Sequence, residues 1–183
     1  YRVCKNDIRS SGPNTVYQQQ WTQMRAQGNE DPDPRNQFIV DLGSYMKTLK
    51  KQGHQVFLMG DMNESTESTK SQVEQMLQDC GMVDLHRHTH KNLGSPPNSY
   101  IRGSEYIDIC AGTDGVAEAT EHAGIEAFGQ TFHSDHRGIW VDLDMARILN
   151  GHPADLGALL SRGVSGTDPR TIIPFQKAVA RYY

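Results

Sequence analysis

The chain has 183 residues, of which 36% are hydrophobic and 22% charged, with a net charge of -4. That is enough for one domain with a core, and the balance is ordinary for a globular protein and slightly polar; no run of about 18 apolar residues exists, so no membrane span is expected. The mild negative charge gives no bulk signal for nucleic-acid binding, which would have to rest on a local basic patch or a bound cation.

Tyr1 to Cys4 is expected to form a short strand. Ser10 to Thr15 forms a turn ending in good helix caps, and a helix is predicted from about Thr15 to Gln27, closed by Gly28. Asp31-Pro32-Asp33-Pro34 is a rigid connector into the clearest helix. There Phe38, Leu42, Tyr45, Met46 and Leu49 mark one apolar face. Lys47, Lys50 and Lys51 suit its carboxy-terminal dipole, and Gly53 ends it. Val56 to Met59 reads as a buried strand. A further helix carries Val73, Met76, Leu77 and Cys80 on one face, with Gly81 as its cap.

Val83 to His90 is expected to be extended, which would put His86, His88 and His90 on one face. A polar edge is the plainer reading of those histidines, and zinc the sharper one. Ser99 to Ile101 and Tyr106 to Cys110 are expected to pair around Gly103. Ile139, Val141 and Leu143 alternate with polar or exposed positions, as a half-buried strand does. From Asn150 onward glycine and proline break the chain, with a short helix expected near Phe175 to Tyr183. The division is therefore a domain over 1–144 and an extension over 145–183. The alternation of helices and strands indicates an α/β layered sandwich with a mixed β-sheet. The three cysteines, Cys4, Cys80 and Cys110, match no zinc or redox spacing. They fit a reduced, intracellular protein in which they are small buried apolar residues.

Three groups of residues carry possible chemistry. Gly60-Asp61-Met62-Asn63 follows a buried strand. Its carboxylate suits water activation or a hard cation, and its carboxamide suits a phosphate oxygen; the same residues also make ordinary turns. Asp108 lies between Ile107 and Ile109 and needs a partner, either an imidazole or a structural ion pair. Ser134-Asp135-His136 precedes the last strand and fits metal binding and proton transfer, or a capped polar turn.

Taken together and in this order, these motifs resemble the endonuclease/exonuclease/phosphatase superfamily. Its members include DNase I, the apurinic/apyrimidinic endonucleases and the endonucleases of non-LTR retrotransposons. Gly60-Asp61-Met62-Asn63 matches its G-D-x-N motif, Ile107-Asp108 its I-D step and Ser134-Asp135-His136 its closing S-D-H. Tyr1 resembles the tyrosine of its Y-x-P-N segment, and Ser99-Tyr100 its T-W/Y step.

The resemblance covers about residues 1–144 and implies the carboxy-terminal half of a DNase I-like four-layer fold. It implies that Asp61 activates the attacking water, Asn63 and Tyr1 hold the phosphate, and His136, partnered by Asp108, stabilises its charge. Asp135 is implied as a metal or water ligand. Magnesium, with manganese as a possible substitute, is the implied cofactor.

The sequence departs from the pattern at Val3, Cys4 and Tyr106, where the family usually has Pro, Asn and Arg. The early Asn and metal-binding Glu of the family's first half have no counterpart here. Little or no activity is therefore expected from the 183-residue chain alone. The retrotransposon branch is the nearest resemblance, from the segments Thr15 to Gln20, Asp84-Leu85-His86 and the Asp-Pro after Thr167. It implies DNA as substrate and a reverse transcriptase downstream in the intact element. A phosphatase on the same scaffold, or a non-catalytic relic or binding module, are the alternatives.

Overall fold

Two polar caps start the helical layer. The Thr15 hydroxyl accepts the N–H of Gln18 and opens α1, Val16–Ala26. The Asp33 carboxylate accepts the N–H groups of Arg35 and Asn36 and opens α2, Pro34–Lys51. Pro34 sits at the first helical turn, where its missing N–H costs nothing. Gly53, at φ +83, turns the chain out of α2. The computed structural model describes residues 2–4, 15–130 and 133–149. The expected helix near Phe175 to Tyr183 and the residue Tyr1 lie outside them.

The remaining elements are β1, Phe57–Asp61; α3, Gln72–Asp79; β2, Met82–Asp84; α4, Leu85–Thr89; β3, Asp108–Thr113; α5, Asp114–Glu118; β4, Thr120–Ile125; β5, Ile139–Leu143; and α6, Met145–Ile148. One sheet has the order β1-β3-β2, and β4 pairs with β5. Every pairing among these strands is antiparallel, so the expected mixture of directions is absent from the pairs. The reason is topological. β1 and β2 run the same way and are linked through α3, but β3 inserts between them and opposes both.

β3 is the centre of the structure because both of its faces are covered. Ile109 and Ala111 pack with Met46, Val73, Met76 and Leu77 beneath α2 and α3. Cys110 points the other way, toward Leu85, Val116 and the inner residues Ile139, Val141 and Leu143 of β5. Helices, first sheet and second sheet therefore form successive layers, as the α/β reading requires. All four apolar residues expected on the α3 face are buried.

Several expectations need correction. On α2 the expected face holds at Met46, which is buried, and at Phe38, Leu42 and Leu49, which pack partly buried against the core, but Tyr45 is exposed, and Ile39 and Gly43 are buried as well. Small Gly43 lets Met76 of α3 approach; a Cβ there would lie 3.3 Å from Met76 Cγ. Val83 to His90 is not one strand. The Asp84 side chain accepts the Arg87 N–H and starts α4, so a polar cap overrides the alternating pattern. His86 and His90 then lie one turn apart with ring centroids 4.6 Å from each other, and the three histidines share no face. Tyr106 to Cys110 does not pair with Ser99 to Ile101 as a ladder. Among the described residues the only backbone–backbone bond between the two sides runs from Ser99 N–H to the Glu105 carbonyl, the other links being to the Ser99 hydroxyl, and β3 begins only at Asp108. Cys80 and Cys110 are buried as expected, but Cys4 is exposed.

Phe57 and Met59 oppose Gly112 and Cys110 and so lie on the face that the second sheet covers over β3. Over β1 none of the described residues supplies that cover, and the two side chains are 44% and 47% exposed. Replacing both with Thr is expected to reduce hydrophobic-dye binding and self-association while changing stability by no more than ~0.5 kcal/mol. Leu77→Ala, in the closed core, is expected to cost ~2–5 kcal/mol in denaturant unfolding. A Phe57/Met59 variant as unstable as Leu77→Ala would show that this face is covered after all.

Candidate active site

The register of β1 on β3 places Asp61 directly opposite Asp108. Residues facing each other across an antiparallel pair lie on the same side of the sheet, so two carboxylates meet at the end of the ladder. Their close approach must be compensated, and the chain does so from both flanks.

On the Asp108 flank, His136 Nδ1 lies 2.8 Å from Asp108 Oδ2. A carboxylate can only accept, so Nδ1 carries the proton and Nε2 is left for another partner. Three contacts hold this arrangement. The fully buried Ser99 hydroxyl accepts the N–H groups of Ile107 and Asp108, at 2.9 and 3.0 Å, fixing the start of β3. Tyr100 forms a backbone bridge with His136, flanked by Ile101 N–H to Asp135 O and Arg137 N–H to Ser99 O, each 2.8 Å. The Tyr100 and His136 rings stand 5.0 Å apart. The Ser99 to Ile101 segment expected as a strand thus pairs with the S-D-H segment instead.

On the Asp61 flank, Asp61 Oδ1 accepts the Asn63 backbone N–H at 2.8 Å, and Oδ2 accepts from Asn63 Nδ2 at 3.1 Å. This turn puts Asn63 at φ +48, a left-handed conformation that asparagine tolerates better than most residues. Asn63 Nδ2 also donates to the Arg2 carbonyl at 2.7 Å, while Cys4 Sγ lies 3.2 Å from Asn63 Oδ1. Both amide hydrogens of Asn63 are therefore engaged. To hold a phosphate it would have to release the longer bond, the one to Asp61.

The electrostatics follow from burial and crowding. Burial, joined by the charge of Asp108, holds the Asp61 carboxyl above the usual carboxylate range. Burial pulls the His136 imidazole down, but the hydrogen bond and charge of Asp108, with Asp61 and Asp135, outweigh it and raise its pKa. The site thus holds an acid made more basic and an imidazole made easier to protonate, the kind of pairing that proton-transfer sites use.

Asp61, Asp108 and His136 offer ligand atoms that all lie within 4.8 Å of one another. Two carboxylates fit one side of a magnesium site, because that ion keeps several waters and takes its remaining oxygens from substrate. Asp135, expected as the metal ligand, is exposed and is not among the three converging groups. Its visible connections are its carbonyl, which accepts from Ile101, and its charge on His136. Ser99 was visible in the sequence only as part of a resemblance; nothing there showed that its hydroxyl holds Asp108.

No family model matches the sequence, and no curated protein matches it. Solved structures do match. A 3' phosphatase from Neisseria, NExo, bound to a product DNA hairpin, superposes with a TM-score of 0.51 at 18% identity. The fold is a partial DNase I-like one. The match covers 60% of this chain and 52% of the phosphatase, so the chain spans about half the length of that structure.

The His136 pKa gives a signed test. Because it is raised above the ordinary 6.5, its contribution to stability is fully present below that value and is lost as pH rises through the higher folded one. Asp108→Asn removes the main raising partner while burial remains. His136 in that variant is expected to titrate well below its value in the parent chain by NMR, and the stability gap between the two proteins to narrow as pH rises past the parent midpoint. An unchanged midpoint would mean that the 2.8 Å contact does not govern this imidazole.

Proposed function

We propose that this site hydrolyses phosphoester bonds in DNA with the help of a divalent cation, magnesium or manganese. The observation that carries the reading is the convergence of Asp61, Asp108 and His136 at the end of β1 and β3. The DNase I-like fold and the three motifs support it.

The chain's own residues divide the work. Asp61, with its raised pKa, takes a proton from the attacking water. His136, protonated and held at Nδ1 by Asp108, presents Nε2 to a phosphoryl oxygen and offsets the charge that builds there. Asn63 supplies an amide N–H to the phosphate once its bond to Asp61 is released. Asp135 raises the proton affinity of His136 through charge and is the further candidate for ordering water or the cation. Tyr1 is the proposed remaining phosphate donor. The water oxygen bonds to phosphorus as the ester P–O bond opposite it breaks, and the departing oxygen takes a proton from solvent. Asp61 and Asp108 would hold the cation, which would supply Lewis-acid polarisation of the phosphoryl group.

The finer assignment is an endonuclease of a retroelement, acting beside a reverse transcriptase in one polypeptide. It rests on the sequence resemblance. A second reading, removal of a terminal phosphate, is favoured by one observation: the superposable structure is a 3' phosphatase.

The test is an assay of the longest polypeptide carrying the site, with magnesium, on a DNA hairpin bearing both internal phosphodiesters and a 3' phosphate. Strand cleavage is expected, falling by about 10²–10⁴-fold in Asp61→Asn and His136→Ala. Phosphate release without strand cleavage would select the second reading. Turnover unaffected by either substitution would remove the site from the reaction.

A further inference from the structure

Behind Asn63 lies a charged network that neither the resemblance nor the proposed reaction uses. Glu64 follows Asn63 directly, and its two carboxylate oxygens face different parts of the chain. Oε1 accepts the Ser71 hydroxyl at 3.0 Å and the backbone N–H groups of Gln72 and Val73, at 2.6 and 3.2 Å, at the start of α3. Oε2 faces two guanidinium groups, Arg2 Nη1 at 2.5 Å and Arg35 Nη2 at 3.5 Å.

Both arginines reach back to Asn63. Arg2 is fully buried; its N–H donates to the Asp61 carbonyl at 2.9 Å, and its carbonyl accepts from Asn63 Nδ2. Its guanidinium also donates to the Arg35 carbonyl and to Gln72 Oε1, at 3.2 and 2.6 Å. Arg35 Nη2 donates to the Asn63 carbonyl at 3.0 Å, and Nη1 to the Val3 carbonyl. One carboxylate therefore neutralises two arginines that hold Asn63 from either side, Arg35 through its guanidinium and Arg2 through its backbone carbonyl.

We propose that Glu64 is a positioning residue for the active-site turn, setting the backbone and side chain of Asn63, and through it Asp61, by anchoring Arg2 and Arg35. Two buried or half-buried cations cannot stay this close without it, because an unpaired buried charge is far costlier than a paired one. Asn63 also sits in a left-handed conformation that needs outside support, and the two arginines supply it. The proposal rests on the reading of Asp61 and Asn63 as site residues, but its test reads geometry rather than turnover. A site that cleaves no phosphoester would defeat that reading and leave the measurement below unaffected.

The experiment uses the 183-residue chain, with hydrogen exchange of the Asn63 side-chain amide and the His136 titration followed by NMR. Glu64→Gln is expected to speed Asn63 exchange about tenfold or more while leaving the His136 midpoint in place, since Asp108 is untouched. Ser71→Ala is the control. It removes a hydrogen bond to the other oxygen of Glu64 and the hydroxyl that caps α3, and so lowers the melting temperature without breaking the arginine contacts. Asn63 exchange is expected to stay slow in it. Exchange unchanged in Glu64→Gln, or raised equally in Ser71→Ala, would overturn the proposal. If Glu64→Gln does not fold, Arg35→Lys decides. The shorter ammonium cannot reach the Val3 and Asn63 carbonyls together, so Asn63 exchange must rise, and protection at the parent level would overturn it.

Discussion

Two carboxylates set side by side repel, and the site is organised around that repulsion. The antiparallel register of β1 and β3 makes it unavoidable, because Asp61 and Asp108 are ladder partners. The chain does not separate them. It gives Asp108 an imidazole and gives Asp61 two N–H donors from Asn63. What remains uncompensated is useful. Burial, joined by the charge of Asp108, keeps the Asp61 pKa raised, Asp108 raises the proton affinity of His136, and the two carboxylates converge where a cation would be shared.

The layers of the fold serve this register. β3 can carry a carboxylate at its first residue because the next five are buried, between the helices on one side and β5 on the other. Ser99 then stops the strand from sliding, since its hydroxyl holds two successive N–H groups at the point where Asp108 begins. The S-D-H segment is carried to Asp108 by the bridge between Tyr100 and His136, so a segment that could have formed an ordinary hairpin becomes the strap of the site. On the far side, Glu64 couples the turn after β1 to the start of α3.

Much of this was legible in the sequence, and the reason is periodicity. The α3 face of Val73, Met76, Leu77 and Cys80 and the alternation in β5 are local patterns, and both appear in the structure. The pairing of Asp108 with a histidine was legible as chemistry, because a carboxylate between isoleucines needs a partner. The parts that could not be read depend on contacts distant in sequence. Nothing near Ser99 announces that its hydroxyl receives residues 107 and 108. Glu64 reads as one more polar loop residue, yet it meets Arg2 from 62 positions away. α4 escaped because alternating histidines fit a strand, and a single Asp84 cap decided otherwise. β4 gave no clear apolar pattern, with Glu121 and His122 both exposed, and was missed.

The proposed site comes down to one arrangement, in which Asp61 and Asp108 would hold a cation beside His136. Titration with manganese, followed by NMR line broadening, tests it most directly. The account predicts that signals of these three residues broaden first and together, and that Asp61→Asn abolishes the effect. Broadening that begins elsewhere, with these three left sharp, would contradict it.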